Sequence, residues 1–313
     1  MLLDLPSGFR KPNSDDAGFE IELACDWIEA SVLFSGESIS APTVADLLEE
    51  SQWFAGGEEA RRFVDEVWSR VRSRQIEEGG KSPFNFTYQT IHSKVDDWSE
   101  VPAHAFCLLL SFARHHQEWA KKRIWNYNQQ GEIFESLTHH ALVALFPTWK
   151  VFRTGWSSTA PAKLSTVVTE IARRLCGEVG NLKRWNKKEA KEQGLDILCY
   201  RQFRDSRGNF PAFFVQCASG QNFIKKLKEP DLGVWNDLVK MVPTSLARKA
   251  FSTPFMFPKK QFDQHAIRSE GLLLDRGRLL SSAVHIETWI EPKTAKQILR
   301  WAKPHINKLP WTK

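Results

Sequence analysis

Two apolar segments constrain this chain most. GLDILCYRQF (194–203) and FPAFFVQCA (210–218) flank a polar turn, DSRGN, that carries Gly208. Segments rich in aliphatic and aromatic side chains and bounded by turn formers read as strands, and two strands joined by about six residues read as a hairpin. The second segment is nearly continuous in apolar character. A strand of that kind is central, with both faces of its sheet covered.

The covering elements are legible on either side. In QGEIFESLTHHALVALF (130–146), Ile133, Phe134, Leu137, Ala141, Leu142 and Leu145 fall on one side of a helix, and Pro147 stops it. KVFRT (150–154) reads as a short strand ending at Gly155, and residues 160–177 as an inserted helix. A basic helical stretch is expected from about Gln221, an apolar strand near 250–257, and helices over 264–283 and 293–306. Upstream the pattern differs. Residues 18–34, 42–54, 57–75 and 102–127 carry helical or mixed apolar spacing, and Gly79 to about Trp98 reads as a loop or an extended crossing. In 57–75 one stripe contains Phe63, Val64, Val67, Trp68 and Val71, with acids early and bases late to suit the helix dipole. The expectation is a mostly α-helical accessory domain over 1–125 and an α/β domain over 126–313, its central mixed sheet flanked by helices.

Charge divides at the same place. Residues 1–125 hold 13 Lys and Arg against 21 Asp and Glu, whereas 126–313 hold 30 against 16. A basic half beside an acidic one points to a polyanion such as DNA as partner of the basic part. The longest apolar run is far too short to span a bilayer, and the N-terminus lacks the basic start of a secretory signal. Five scattered cysteines with no CxxC pair exclude a zinc ribbon and point to a reducing cytoplasm.

The candidate chemistry lies around the hairpin. Asp196 follows Gly194 at the start of the first strand. Gln216 stands 20 residues later inside the second, where a buried amide needs partners. Glu135 lies on the preceding helix, and Lys225, Lys226 and Lys228 follow. Oxygen ligands of this kind suit a hard cation such as Mg²⁺ or Mn²⁺. In the His139-His140 pair, His139 stands four residues after Glu135 and shares its helical face, but two ligands are too few for zinc. Ser219 is not in a GxSxG elbow, and no GxxxxGK[ST] loop occurs, which disfavours a serine hydrolase and a nucleotide-driven motor.

This order resembles the PD-(D/E)xK, or restriction endonuclease-like, nuclease superfamily, from about residue 130 to about 257. GLDIL supplies the strand aspartate, and FVQCASG supplies a glutamine as in the Mrr-like branch. The resemblance implies a metal-dependent DNA endonuclease with Asp196, Gln216, Glu135 and the main-chain carbonyl of Cys217 around Mg²⁺ or Mn²⁺, Glu132 being the alternative helix acid. The lysine expected two residues after Gln216 is absent, because Ala218 stands there. A lysine migrated onto the following helix, as in subfamilies with a similar strand, implies Lys226 or, second, Lys225; about 100° separates them on a helix, so only one points into a site. Arg184, Lys187 and Lys188, in a polar basic stretch with Trp185, are expected to touch phosphates together with Lys225. Restriction or antiphage defence is the setting the resemblance suggests, with a homodimer or a partner subunit engaged through the acidic N-terminal domain. The competing expectation is a catalytically decayed nuclease fold that binds nucleic acid or acts as a scaffold.

Overall fold

The computed structural model describes residues 1–313 except 7–16, 55, 123–124, 155–162, 186–193, 242–246, 282–288 and 313. It divides into two units, one of Met1–Trp125, Pro254–Lys259 and Arg276–Lys313, the other of Asn126–Thr253 and Lys260–Asp275. Among the described residues no helix is long and apolar enough to cross a membrane.

The first unit begins with α1 (Ala17–Ser35), the short β1 (Ile39–Ser40), α2 (Ala41–Glu50) and α3 (Gly57–Glu77). Ser40 caps α2 by accepting the N–H of Thr43 at 3.2 Å. The stripe expected on α3 is buried as read. Residues 79–98, expected to be a loop or an extended crossing, contain the extended segments β2 (Phe84–Phe86) and β3 (Thr90–Ser93), which form a small antiparallel sheet with β1. α4 (Pro102–His115) and α5 (Gln117–Lys121) follow.

The second unit opens with α6 (Tyr127–Leu145), capped by Asn126, whose side chain accepts the N–H of Gln129 at 3.0 Å. Then come β4 (Lys150–Arg153), α7 (Leu164–Arg174), β5 (Glu178–Val179), α8 (Leu182–Trp185), β6 (Ile197–Tyr200), β7 (Ala212–Cys217), α9 (Leu232–Leu238), β8 (Val239–Lys240), β9 (Ala247–Ser252), α10 (Lys259–Ser269) and β10 (Gly271–Leu274). The central mixed sheet runs β10-β9-β7-β6-β4. Its first three strands are parallel, and β6 and β4 are antiparallel to their neighbours. β7 is the middle strand, which explains its unbroken apolar character. One face is filled by Leu198 and Phe214 packed with Val168 and Ile171 of α7 and Trp235 of α9. On the other lie Ile133, Phe134, Leu137 and Leu142 of α6, all buried.

Three expectations are corrected. The strand β10 falls inside the expected helix 264–283, because its four residues GLLL are too few to show a period. The basic stretch after β7 is a 3₁₀ turn, Phe223–Lys226, not an α-helix. The second domain does not extend to 313, since α11 (Arg276–Leu280) and α12 (Pro292–Ile306) belong to the first unit. Electrostatics and packing explain that return. Asp26 and Glu29 on α1 are buried and need cations, which Arg74 supplies at 2.9 and 2.7 Å and Arg276 at 2.9 Å to each. Trp301 of α12 packs edge-on against Phe106 of α4, ring centres 5.1 Å apart. The charge contrast shrinks accordingly: the second unit holds 21 Lys and Arg against 14 Asp and Glu, and the first is nearly balanced at 22 against 23.

Candidate active site

The hairpin register converts 20 residues of separation into adjacency. Ile197 pairs with Val215, so Asp196, one residue before β6, comes opposite Gln216 near the end of β7. This is the carboxyl end of the parallel strands, where α/β sheets leave crevices for ligands. A cleft of about 480 Å³ opens there, lined by Asp196, Gln216, the Cys217–Phe223 segment, Lys226 and, from α6, its first turn and Glu135.

Asp196 is 6% exposed. Its Oδ2 accepts two hydrogen bonds at 2.6 Å, from Gln216 Nε2 and from the Cys217 main-chain N–H. Its own carbonyl accepts the N–H of Thr154 at 3.0 Å, tying the start of β6 to the end of β4. Gln216, 2% exposed, also donates from Nε2 to the Cys217 carbonyl oxygen at 2.9 Å. Three expected contributors therefore meet: a carboxylate, a carboxamide and a main-chain carbonyl. The amide orientation follows from its neighbours, because a carboxylate oxygen and a carbonyl oxygen both require a donor. Gln216 Oε1 points elsewhere and has no hydrogen-bond partner among the described residues. An unsatisfied buried acceptor of this kind costs about 1–3 kcal/mol, so native folds keep few of them.

Glu135 comes from the middle of α6 and is held by Arg153 of β4, with Oε2 3.3 Å from the guanidinium. Arg153 also donates to the carbonyl of Glu132 at 3.4 Å. Sequence reading missed Arg153; its signal is a base in a short strand beside a helix that carries an acid. Glu132, the alternative helix acid, does not line the cleft. The Cys217 thiol is pushed well up by burial, and further by the negative charges of Asp196 and Glu135, so it stays protonated. Cys217 thus offers a carbonyl oxygen to the site and no thiolate.

Lys226 lines the cleft from the 3₁₀ turn, and Lys225 does not. With three residues per turn, neighbouring side chains diverge by about 120°, so one of the two faces away. Ala218 borders the cleft and donates its N–H to Ser252 on β9 at 2.9 Å. The turn below is fastened by Gln130, which donates to the Ser219 carbonyl at 3.0 Å and hydroxyl at 3.1 Å, another link not read from the sequence. Arg184 lies away from the cleft, in an ion pair with Asp237 at 3.0 Å. Lys187 and Lys188 lie outside the described residues. His139 and His140 stack edge to face and do not line the cleft.

Among the described residues no group of three or more His, Cys, Asp or Glu side chains is arranged to hold a metal ion. The oxygens gathered here are a carboxylate oxygen of Asp196 and the main-chain carbonyl of Cys217, and the Gln216 amide turns its nitrogen toward both.

No family model, no curated protein and no solved structure matches this chain.

Proposed function

We propose that the second unit is a metal-dependent endonuclease of the restriction endonuclease-like type, acting on DNA with Mg²⁺ or Mn²⁺. One observation carries this reading. Asp196, Gln216 and the Cys217 carbonyl converge at the edge of a cleft that also takes in Glu135 and Lys226. The oxygens of Asp196 and Cys217 would hold the cation, joined by that of Gln216 once its amide is turned over, and Glu135 lines the same cleft from α6. A bound divalent cation supplies positive charge at the scissile phosphate and a more acidic water. Lys226 would position an attacking water and offset the charge that develops on the phosphate. Arg153 fixes the Glu135 carboxylate, and the neutral Cys217 thiol adds no competing charge. The 21 bases of the unit against 14 acids favour a polyanion, and the phosphate contacts are assigned to Arg184, Lys187, Lys188 and Lys225.

A single site cuts one strand, so duplex cleavage calls for a homodimer or a partner subunit, with restriction or antiphage defence as the setting. The second reading, a decayed nuclease fold that binds nucleic acid or acts as a scaffold, is favoured by Ala218 standing where the lysine belongs. Nicking of supercoiled plasmid and cutting of single-stranded DNA, with and without Mg²⁺ or Mn²⁺, separates the two. Wild type cleaves with metal, while Asp196→Ala binds DNA and does not cleave. Identical behaviour of the two proteins favours the scaffold.

A further inference from the structure

Gln216 presents an unusual combination: its nitrogen is doubly used, and its buried oxygen has no hydrogen-bond partner among the described residues. The surroundings of that oxygen are specific. Gly194 sits beside it at φ +69°, and a β-carbon built there would lie 3.1 Å from Gln216 Oε1 and 3.0 Å from Glu229 Oε2. With Glu229 Cβ at 2.9 Å from the same point, a side chain there would be crowded, so glycine lets the backbone lie close to both the amide oxygen and a half-buried carboxylate. Both are acceptors, so as it stands the amide makes no hydrogen bond to Glu229. Glu229 is held by the same turn as Lys226, its N–H donating to the Lys226 carbonyl at 2.9 Å.

A half-rotation about the last side-chain torsion exchanges the two ends of the amide. Nε2 would then face Glu229, which can accept from it, and Oε1 would face Asp196 Oδ2 and the Cys217 carbonyl. Three oxygens turned toward one another repel unless a cation lies among them. With a cation present, each of these polar atoms has a partner; without one, Nε2 belongs where it is now.

We propose that Gln216 is a two-position amide, turned by cation binding and held in the turned position by Glu229, which is therefore a positioning residue for the metal. The proposal rests on the metal-site reading above. It assigns Glu229 a role that neither motif spacing nor cleft lining suggests, and it gives Gly194 a reason to lack a side chain.

The test is Mn²⁺ binding to the full chain without DNA, followed by calorimetry and by the electron paramagnetic resonance of free Mn²⁺. Wild type should bind, and Asp196→Asn should not. Glu229→Leu should weaken binding about tenfold, the usual size of effect for a residue that orients a ligand. Glu229→Gln keeps an acceptor and should stay within about threefold of wild type. In a Gln216→Glu background both ends of residue 216 are oxygen, so Glu229→Leu should weaken binding no further. Should Glu229→Leu fail to fold, the side-chain ¹⁵NH₂ signal of Gln216 in wild type, identified by its loss in Gln216→Glu, should shift on adding Mg²⁺.

Equal affinity of wild type and Glu229→Leu overturns the proposal while leaving the metal site intact. So does equal weakening by Leu and Gln, which would make Glu229 a distant charge, or an unmoved ¹⁵NH₂ signal at saturating Mg²⁺. If wild type binds no Mn²⁺, or Asp196→Asn binds as well as wild type, the metal-site reading fails and this proposal falls with it.

Discussion

Arg276 and Asp26 lie 2.9 Å apart across 250 residues of sequence, both buried, and Arg74 shares the same carboxylate oxygen at 2.9 Å. Removing one partner of such a cluster leaves an uncompensated buried charge, which is far more costly than losing a surface pair. Arg276→Ala should therefore destabilise the first unit by about 3–5 kcal/mol. Lys296→Ala, on the exposed side of α12, should stay within about 0.5 kcal/mol. Urea unfolding followed by far-ultraviolet circular dichroism measures both, and equal midpoints would mean the cluster is not closed in solution.

The same cluster predicts a pH profile. Burial, with the neighbouring charge of Glu29, pushes the Glu78 carboxyl up to about 8. A carboxyl raised on folding contributes stability that is complete below its unfolded pKa, declines as pH rises, and is gone above about 8. Burial also works against ionised Asp26, but Arg276 and Arg74 outweigh it and bring that carboxyl down to about 2, so its contribution is lost only as pH falls below about 4 toward 2. Glu78→Gln stays neutral throughout. Its stability relative to wild type should increase from pH 5 to 8, by up to about 1.4 kcal/mol per pH unit. A difference that does not vary with pH would mean Glu78 is already ionised in the fold.

In the proposed nuclease, Lys226 and Lys225 should separate cleanly. Lys226→Ala removes the cleft's lysine and should slow plasmid nicking by about 10²-fold or more, with DNA affinity nearly unchanged. Lys225→Ala should weaken DNA binding more strongly at low salt than at high salt and leave the cleavage step within about threefold. The reverse pattern would transfer the catalytic role to Lys225.

Thiol chemistry provides a check that needs no activity. Cys176 is exposed, and the other four cysteines are buried. Burial pushes the Cys199 thiol up to about 12 and those of Cys25 and Cys217 well above their ordinary value. At pH 8 a disulfide reagent should titrate one thiol quickly and the remaining four only on unfolding. Fast modification of Cys217 would show a site more open, or more positively charged, than the one described.

How much of this was legible in the sequence depends on the range of the interactions involved. The hairpin around DSRGN was readable because its signals, apolar runs and a polar turn, are local, and its register then fixes Asp196 opposite Gln216. The stripe on α3 was readable for the same reason. β10 was not, since GLLL is as compatible with a helix end as with a strand until β9 lies beside it. The return of residues 276–313 to the first unit was hidden because it depends on Arg276 meeting Asp26, a long-range pairing with no local trace. Helix geometry admits only one of Lys226 and Lys225 and spacing ranks Lys226 first, while the 3₁₀ turn puts that lysine alone of the two on the cleft. Which way the Gln216 amide points, and that Glu229 comes near its oxygen, depend on folded neighbours that spacing does not reveal.

The split makeup of the first unit bears on how the protein comes off the ribosome. Everything the sheet-containing unit requires has been synthesised by Asp275, whereas the helical unit needs Arg276 and α12, which emerge afterwards. Its early helices must therefore wait, with acidic side chains still hydrated, while the later-encoded unit folds ahead of them. A stop codon anywhere after residue 275 but before α12 would leave the sheet complete and the helical unit unable to close.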